Sequence, residues 1–238
     1  MTRGWRIALA GVAALVVAAP ALAVTGGTLD GSVHPAVGLL LADNGNGLEP
    51  DCSGSLVSPT VFVTAAHCTG SLASNRVSVT FDSQYVAGTS PLLPGTAYTD
   101  PQWGAVKGDS HDLAVVVLDE AVSGVTPYAL PSAGALASMK SSQTLTNVGY
   151  GYYDRTFVFD GYRRWSTSSF TNVTATELRL SDKPGGVCFG DSGGPRLLGN
   201  VEVAITSTGN NNCTGQSISY RLDTPSARAF LARFVAVP

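Results

Sequence analysis

Two short stretches carry residue types that could act together as a nucleophile and its base: VTAAHC at 63–68 and GDSGGP at 190–195. In the second, Ser192 sits among Gly190, Gly193 and Gly194. Glycine reaches positive φ without steric cost, so successive N–H groups in such a turn can converge on one point and form an anion-binding nest. A hydroxyl beside ready-made donors is what acyl transfer through a tetrahedral intermediate requires. A lone serine is a weak nucleophile and needs a base. His67, at the end of the apolar run VFVTA, can supply one. Asp112 opens DLAVVVL (112–118), where a carboxylate could be held rigidly and orient the imidazole. His34 and His111 have no such context and read as ordinary residues.

The elements that must position these groups read as short strands separated by turns. AVGLLLA (36–42), SGSLVS (53–58) and VFVTA (61–65) are strand-like, with Pro59 breaking the last two apart. RVSVTF (76–81) alternates apolar and polar residues, as a half-buried strand does, and DLAVVVL reads as a buried one. QTLTNVGYG (143–151), FTNVTATELRL (170–180) and NVEVAITST (200–208) continue the pattern, and no fixed-period repeat is present. This spacing predicts an all-β barrel or sandwich. One helix is expected near the end: Thr224 caps it, Pro225 suits its first position, and Leu222, Phe230 and Phe234 anchor it. The stretch 150–165, YGYYDRTFVFDGYRRW, reads as a strand and surface loop, or alternatively as a loop touching substrate.

The first 23 residues read as a secretory signal. Arg3 and Arg6 begin it, 7–19 is apolar apart from Gly11, and Ala21 and Ala23 precede the cut. The stretch is too short and wrongly flanked for a membrane anchor. Its removal takes two of the 14 basic residues and none of the 17 acidic ones, so the mature chain carries 12 minus 17, or −5. Such mild acidity argues against nucleic acid as a partner, which would favour a basic patch. Few lysines and abundant Ala, Val, Gly, Ser and Thr suggest a bacterial exported protein. Four cysteines (Cys52, Cys68, Cys188, Cys213) in an exported chain favour two disulfides. Three pairings are open, with sequence neighbours preferred, and zinc-type spacings are absent.

The blocks CSGSLVSPTVFVTAAHC, HDLAVVVL and CFGDSGGP, in that order, resemble the three active-site blocks of the chymotrypsin/trypsin-like serine peptidases, and the similarity covers essentially all of 24–238. The resemblance implies two six-stranded antiparallel β-barrels with the active site between them and a C-terminal α-helix. The barrels would fall at about 24–128 and 129–223, and the helix at about 225–236. It implies a secreted serine endopeptidase with Ser192 as nucleophile, His67 as general base and then acid, and Asp112 orienting the imidazole. The N–H groups of Gly190 and Ser192 would form the oxyanion hole, Ser207 would hydrogen-bond Asp112, and Gly209 would pair with extended substrate. The implied disulfides are Cys52–Cys68 and Cys188–Cys213.

In this family the free amine of the mature chain pairs with the aspartate before the nucleophile. Here that is Val24, in VTGG, with Asp191, so cleavage after Ala23 would itself create the active terminus. A cut further upstream, followed by trimming, is the alternative. The specificity pocket would take Gly186 as its floor with Val187, Gly209 and Ile218 as walls, which implies a small or medium apolar residue before the scissile bond rather than Arg or Lys. No metal or cofactor is called for. A protein or peptide substrate, a protein inhibitor and a monomeric state are expected, with no stable membrane anchor. A silent binding protein on this fold and a secreted esterase are the competing readings.

Overall fold

In the computed structural model the described residues run from 24 to 238, leaving out Gly26, Asn46, Ser142, 154–157 and Pro184; the leader read over 1–23 lies outside them. A two-residue strand β1 (Thr28–Leu29) is followed by six strands that close one barrel: β2 (Val37–Asp43), β3 (Leu48–Ser58), β4 (Val61–Thr64), β5 (Arg76–Thr80), β6 (Leu93–Thr99) and β7 (Ala114–Leu118), in the order β2-β3-β4-β7-β6-β5. Six more close a second: β8 (Thr144–Gly149), β9 (Arg164–Val173), β10 (Glu177–Asp182), β11 (Pro195–Leu198), β12 (Val201–Gly209) and β13 (Gly215–Arg221), in the order β8-β9-β10-β13-β12-β11. All these pairings are antiparallel, and strand for strand the two orders are the same. Strand β1 pairs with β9, so the start of the first half is stitched onto the second.

The barrels are filled differently. β4 and β7 pair Val61 with Val117 and Val63 with Val115, and Leu39, Leu40, Leu56, Phe62 and Val63 are buried with them. β-Branched and aromatic side chains suit such a pleated, packed surface. The second barrel instead buries Arg196 completely, between the Ser217, Ser219 and Asn147 side chains. A buried guanidinium is tolerated only when its donors are satisfied.

The stretch 170–180 is not one strand. It turns over at 174–176, where the Glu177 N–H donates to Thr174 Oγ1 at 3.0 Å. β6 and β13 were not anticipated, since Pro94 and Gly95 in one and Gly215, Gln216 and Ser217 in the other give no apolar alternation. Thr224 Oγ1 accepts the Ala227 N–H at 3.2 Å and Pro225 opens helix α1, Pro225–Leu231. The helix stops short of 236: the N–H groups of Arg233 and Phe234 bond three residues back, to Phe230 and Leu231, and the chain continues as turns. Leu222, Phe230 and Leu231 are buried, and the Phe234 ring rests 5.1 Å from Tyr98. Among the described residues no helix is long and apolar enough to cross a membrane.

Between the barrels lies one buried carboxyl with incomplete bonding. Glu202 of β12 is fully buried; Oε2 accepts from Ser55 Oγ of β3, and Oε1 has no partner among the described residues. Burial pushes its pKa up to about 8, against the Ser55 bond, which lowers it. Because the folded pKa lies above the unfolded one, stability is full below the ordinary carboxyl range and falls as pH rises toward 8. Glu202→Gln, which keeps the shape without ionising, should raise stability by about 1–3 kcal/mol at pH 8–9 and leave it nearly unchanged near pH 4. Thermal melts across that range check this.

Candidate active site

Strand pairing brings the chemical groups together. β4 ends in a 3-10 turn, Ala66–Cys68, that carries His67 at its rim. Its neighbour β7 is antiparallel to it, with Thr64 opposite Ala114, so Asp112, two residues before β7, arrives beside the turn. The Cys52–Cys68 disulfide ties the turn back to β3. Ser192 lies in the turn before β11, and its carbonyl accepts the Ser53 N–H from β3 at 2.9 Å. The Ser192 turn of the second barrel is thus bonded directly to the first.

Asp112 is buried, 4% exposed. Its Oδ1 accepts the His67 backbone N–H at 3.0 Å, and its Oδ2 lies 2.9 Å from His67 Nδ1 and accepts from Ser207 Oγ at 2.5 Å. Burial alone would raise the Asp112 pKa, but the His67 and Ser207 bonds outweigh it and hold the carboxyl below its ordinary range. Burial likewise works against a charged His67, and the bond to Asp112, its charge and that of Asp51 together raise the imidazole above its ordinary value. The His67 side chain is 35% exposed toward the cleft. Among the described residues its ring bonds to Asp112, and no hydrogen bond joins it to the Ser192 hydroxyl. Such contacts are commonly loose without substrate and tighten when it binds.

The turn 188–194 is shaped by its glycines. Gly190 has φ +92° and Gly193 φ +76°, and a Cβ on Gly193 would stand 2.1 Å from Thr64 Oγ1. The Phe189 carbonyl accepts the Tyr152 N–H and the Asp191 carbonyl accepts the Gly194 N–H, both at 2.9 Å. In a trans peptide the N–H points opposite its C=O, so the Gly190 and Ser192 N–H groups point away from those partners. Ser53 Oγ donates to the Gly190 carbonyl at 2.8 Å and fixes the next peptide too. Cys188–Cys213 closes the other side.

Asp191 is fully buried, and its carboxylate accepts the Gly151 and Cys188 N–H groups, each at 2.8 Å. Burial pushes its pKa up to about 6 in spite of those bonds. Among the described residues no side-chain cation is ion-paired with it. Val24 is also buried, at 1% exposure.

Ser192 and His67 line a cleft of about 770 Å³. Val187, which adjoins Gly209, lines it together with the disulfide-bonded Cys188 and Cys213, and so do Glu49, Asp51, Tyr152 and Phe159. Gly186 and Ile218 do not line it. Gly186 packs on Asp182, and Ile218 sits within the sheet opposite Arg179 and Thr208. The stretch 150–165 divides: Tyr150, Tyr152 and Phe159 line the cleft, whereas Arg163 and Arg164 are buried, Arg163 on Asp30 at 2.7 Å and Arg164 on Asp160 at 2.6 Å. Its 154–157 segment is outside the described residues. Two residues were missed. Asp51 sits beside His67 and is signalled only by its place next to Cys52 in a matched block. His111 is no ordinary surface histidine but is buried against Asp100. Cys52, His67 and Cys68 come within 4.8 Å, yet both sulfurs are spent in the disulfide and offer no thiolate to a metal.

Comparison with known proteins agrees with this geometry. Residues 31–230 match the family model described as Trypsin. Trypsin delta of Drosophila melanogaster is 26% identical over 175 residues, covering 66% of this chain and 68% of its own. A chymotrypsin-like serine proteinase of Haliotis rufescens is 27% identical over 183 residues, covering 69% and 72%. Among solved structures, one described as HL collagenase aligns with a TM-score of 0.71 at 17% identity, over 87% of this chain and 95% of its own. One described as GrC aligns at 0.72 with 19% identity, over 87% and 97%. The structural matches speak for the fold alone.

The His67 environment makes a measurable statement. Its ring should titrate above the ordinary value of ~6.5 when followed by NMR. Asp51→Asn and Ser207→Ala should each lower that midpoint, the first by removing a nearby charge and the second by loosening Asp112. A midpoint unmoved in both variants would mean that neither group tunes the ring.

Proposed function

Because the chain belongs to the trypsin family and is a serine endopeptidase, we propose that it cleaves peptide bonds through Ser192, His67 and Asp112. The observation that carries this reading is the buried Asp112 carboxylate, bonded at once to His67 and to Ser207 across the barrel boundary. In this mechanism His67 Nε2 takes the Ser192 Oγ proton as Oγ adds to the scissile carbonyl. The carbonyl oxygen becomes an oxyanion held by the Gly190 and Ser192 N–H groups, whose carbonyl neighbours are committed elsewhere. Asp112 keeps the imidazole in the tautomer with Nδ1–H and stabilises its cation. His67 then protonates the leaving nitrogen, the amine departs, and an acyl group remains on Ser192. Water, deprotonated by His67, releases the acid.

Activation follows from Asp191. A fully buried carboxylate without an ion-paired side chain gains most from a cation, and the amine of a chain starting at Val24 supplies one. Cleavage after Ala23 by signal peptidase would then couple export to activation, consistent with a secreted, disulfide-bonded monomer. Extended substrate would lie along Ser207–Gly209, with its side chain entering beside Val187. Among the described residues, Val187, Cys188, Gly209 and Cys213 of that part of the lining include no acid, which supports a small or medium apolar residue there. A protein inhibitor would enter by the same cleft.

Ser192→Ala should cut peptide hydrolysis by about 10⁴-fold or more, and an organophosphate should label wild type but not the variant. Retained hydrolysis would sink the triad, and failure to label would favour a silent binding protein. One residue appended before Val24 should remove most activity of the secreted protein, checked by intact mass and peptidase assay. Full activity of that form would exclude the inserted amine. On a peptide panel, a strong preference for Arg or Lys before the cut would overturn the pocket assignment.

A further inference from the structure

The residue that precedes Asp112 has an unusual backbone and an unusual setting. His111 has φ +48°, in the left-handed region that non-glycine residues seldom occupy. Its carbonyl accepts the Leu113 N–H at 2.8 Å, so Asp112 stands at the apex of a three-residue turn. The ring of His111 is buried, with its two nitrogens facing two carboxylates. Nδ1 lies 3.0 Å from Asp100 Oδ2, and Nε2 lies 3.5 Å from Asp109 Oδ2. Each carboxylate is anchored in turn. Asp100 Oδ1 accepts the Gln102 N–H at 2.9 Å, and the Asp100 N–H donates to the Leu113 carbonyl at 3.0 Å. Asp109 Oδ1 accepts the His111 N–H at 3.0 Å, and its Oδ2 accepts from Ser226 Oγ of α1 at 2.8 Å. Tyr220 Oη of β13 lies 3.2 Å from the same Ser226 Oγ.

We propose that His111 is a positioning residue for the reaction: clamped between Asp100 and Asp109, its ring holds the left-handed turn that presents the Asp112 carboxylate to His67. This rests on the reading of Asp112 as the triad carboxylate. The clamp acts through geometry. Swinging the ring out would cost the buried Asp100 its only side-chain donor among the described residues and break the Nε2 contact with the part-buried Asp109, so the strained φ persists because its surroundings impose it. The Ser226 and Tyr220 bonds make the clamp a junction between the triad loop of the first barrel and the end of the second.

The test uses the mature secreted enzyme, with the active fraction counted by burst titration so that lost folding is not read as lost catalysis. His111→Ala should lower kcat by about 10²-fold with KM nearly unchanged, the size expected for a small misplacement of a reacting group. The acid limb of kcat/KM should also move to lower pH. His67 is faced by Asp112 and Asp51 among the described groups, and a displaced Asp112 no longer raises its pKa while Asp51 is untouched. His111→Gly keeps the left-handed backbone but removes the ring, and should lose activity with the same shift of the limb. His111→Asn accepts positive φ and carries an amide donor, and should recover roughly tenfold of the loss. Asp109→Asn opens one side of the clamp without touching the turn residue, and should give a smaller loss in the same direction. It decides the matter if His111→Ala does not fold. Wild-type kcat in the glycine variant, or a reduced kcat with an unmoved acid limb in every variant, would overturn the proposal. Ser192→Ala is run beside them: activity there would refute the triad itself, independently of the clamp.

Discussion

A charge at Asp112 has to be buried and still be fully bonded, and the site is organised by that requirement. An ionised carboxylate taken from water is tolerable only if its oxygens are saturated with donors. The first barrel provides the His67 N–H and ring, and the second provides the Ser207 hydroxyl. Neither barrel satisfies the group alone. The relative placement of the halves is therefore fixed at the site proposed for the chemistry. The same division recurs at Ser53, whose N–H and hydroxyl in β3 reach Ser192 and Gly190 in the glycine turn.

Two barrels with the same strand order are filled differently, the second adding a buried polar network to its apolar cluster of Leu145, Leu178, Leu180 and Val203, and this bears on how they are joined. The first is packed with Leu, Val and Phe and would hold its shape by apolar burial. The second has a guanidinium at its heart, with Asn147, Ser217 and Ser219 spent on it. A polar interior of this kind specifies geometry strongly when every donor is met and is costly when one is not. Arg163 does similar work at the boundary. It lies just before β9 yet bonds Asp30 and the Val37 and Phe81 carbonyls of the first half. Losing Asp30 would leave a buried cation without its countercharge, and losing a carbonyl would leave a buried donor unmet.

What the sequence revealed and what it hid follow from the range of the interactions. The glycine turn and the helix start were legible because each is local, and the residues proposed as the triad were singled out in the same way. Ser192 stands among glycines, His67 follows an apolar run and Thr224 precedes Pro225, all within a few residues. Both disulfides were implied through the resemblance and are present. β6 and β13 escaped because their stability comes from neighbouring strands rather than their own pattern. Arg163 and Arg196 escaped because a buried arginine is indistinguishable from a surface one until its distant acceptors are known. His111 was passed over for the same reason, since Asp100 is 11 residues away and Ser226 lies near the far end of the chain. Ile218 was assigned to the pocket by counting through an irregular loop. The β12–β13 pairing shifts register between Thr206 and Thr208, and a shift of one residue exchanges the faces of a strand.

Asp112 and Asp191 show how two buried aspartates far apart in sequence are given different work. Asp112 is surrounded by donors, one of them on a titratable ring, and its pKa is held down. Its charge is favoured by those donors, which suits the orienting role proposed for it. Among the described residues the Asp191 carboxylate meets two backbone N–H groups, and burial outweighs them, lifting its pKa to about 6. Its charge is costly without a cation and becomes favourable when one arrives. The Asp191 N–H is bonded to the Cys188 carbonyl and its own carbonyl to the Gly194 N–H, so its side chain and backbone belong to the turn that presents Ser192. A change in its charge state therefore acts on that turn, not on the orienting carboxylate. The proposed roles, a constant carboxylate at Asp112 and a conditional one at Asp191, follow the donors each finds on burial.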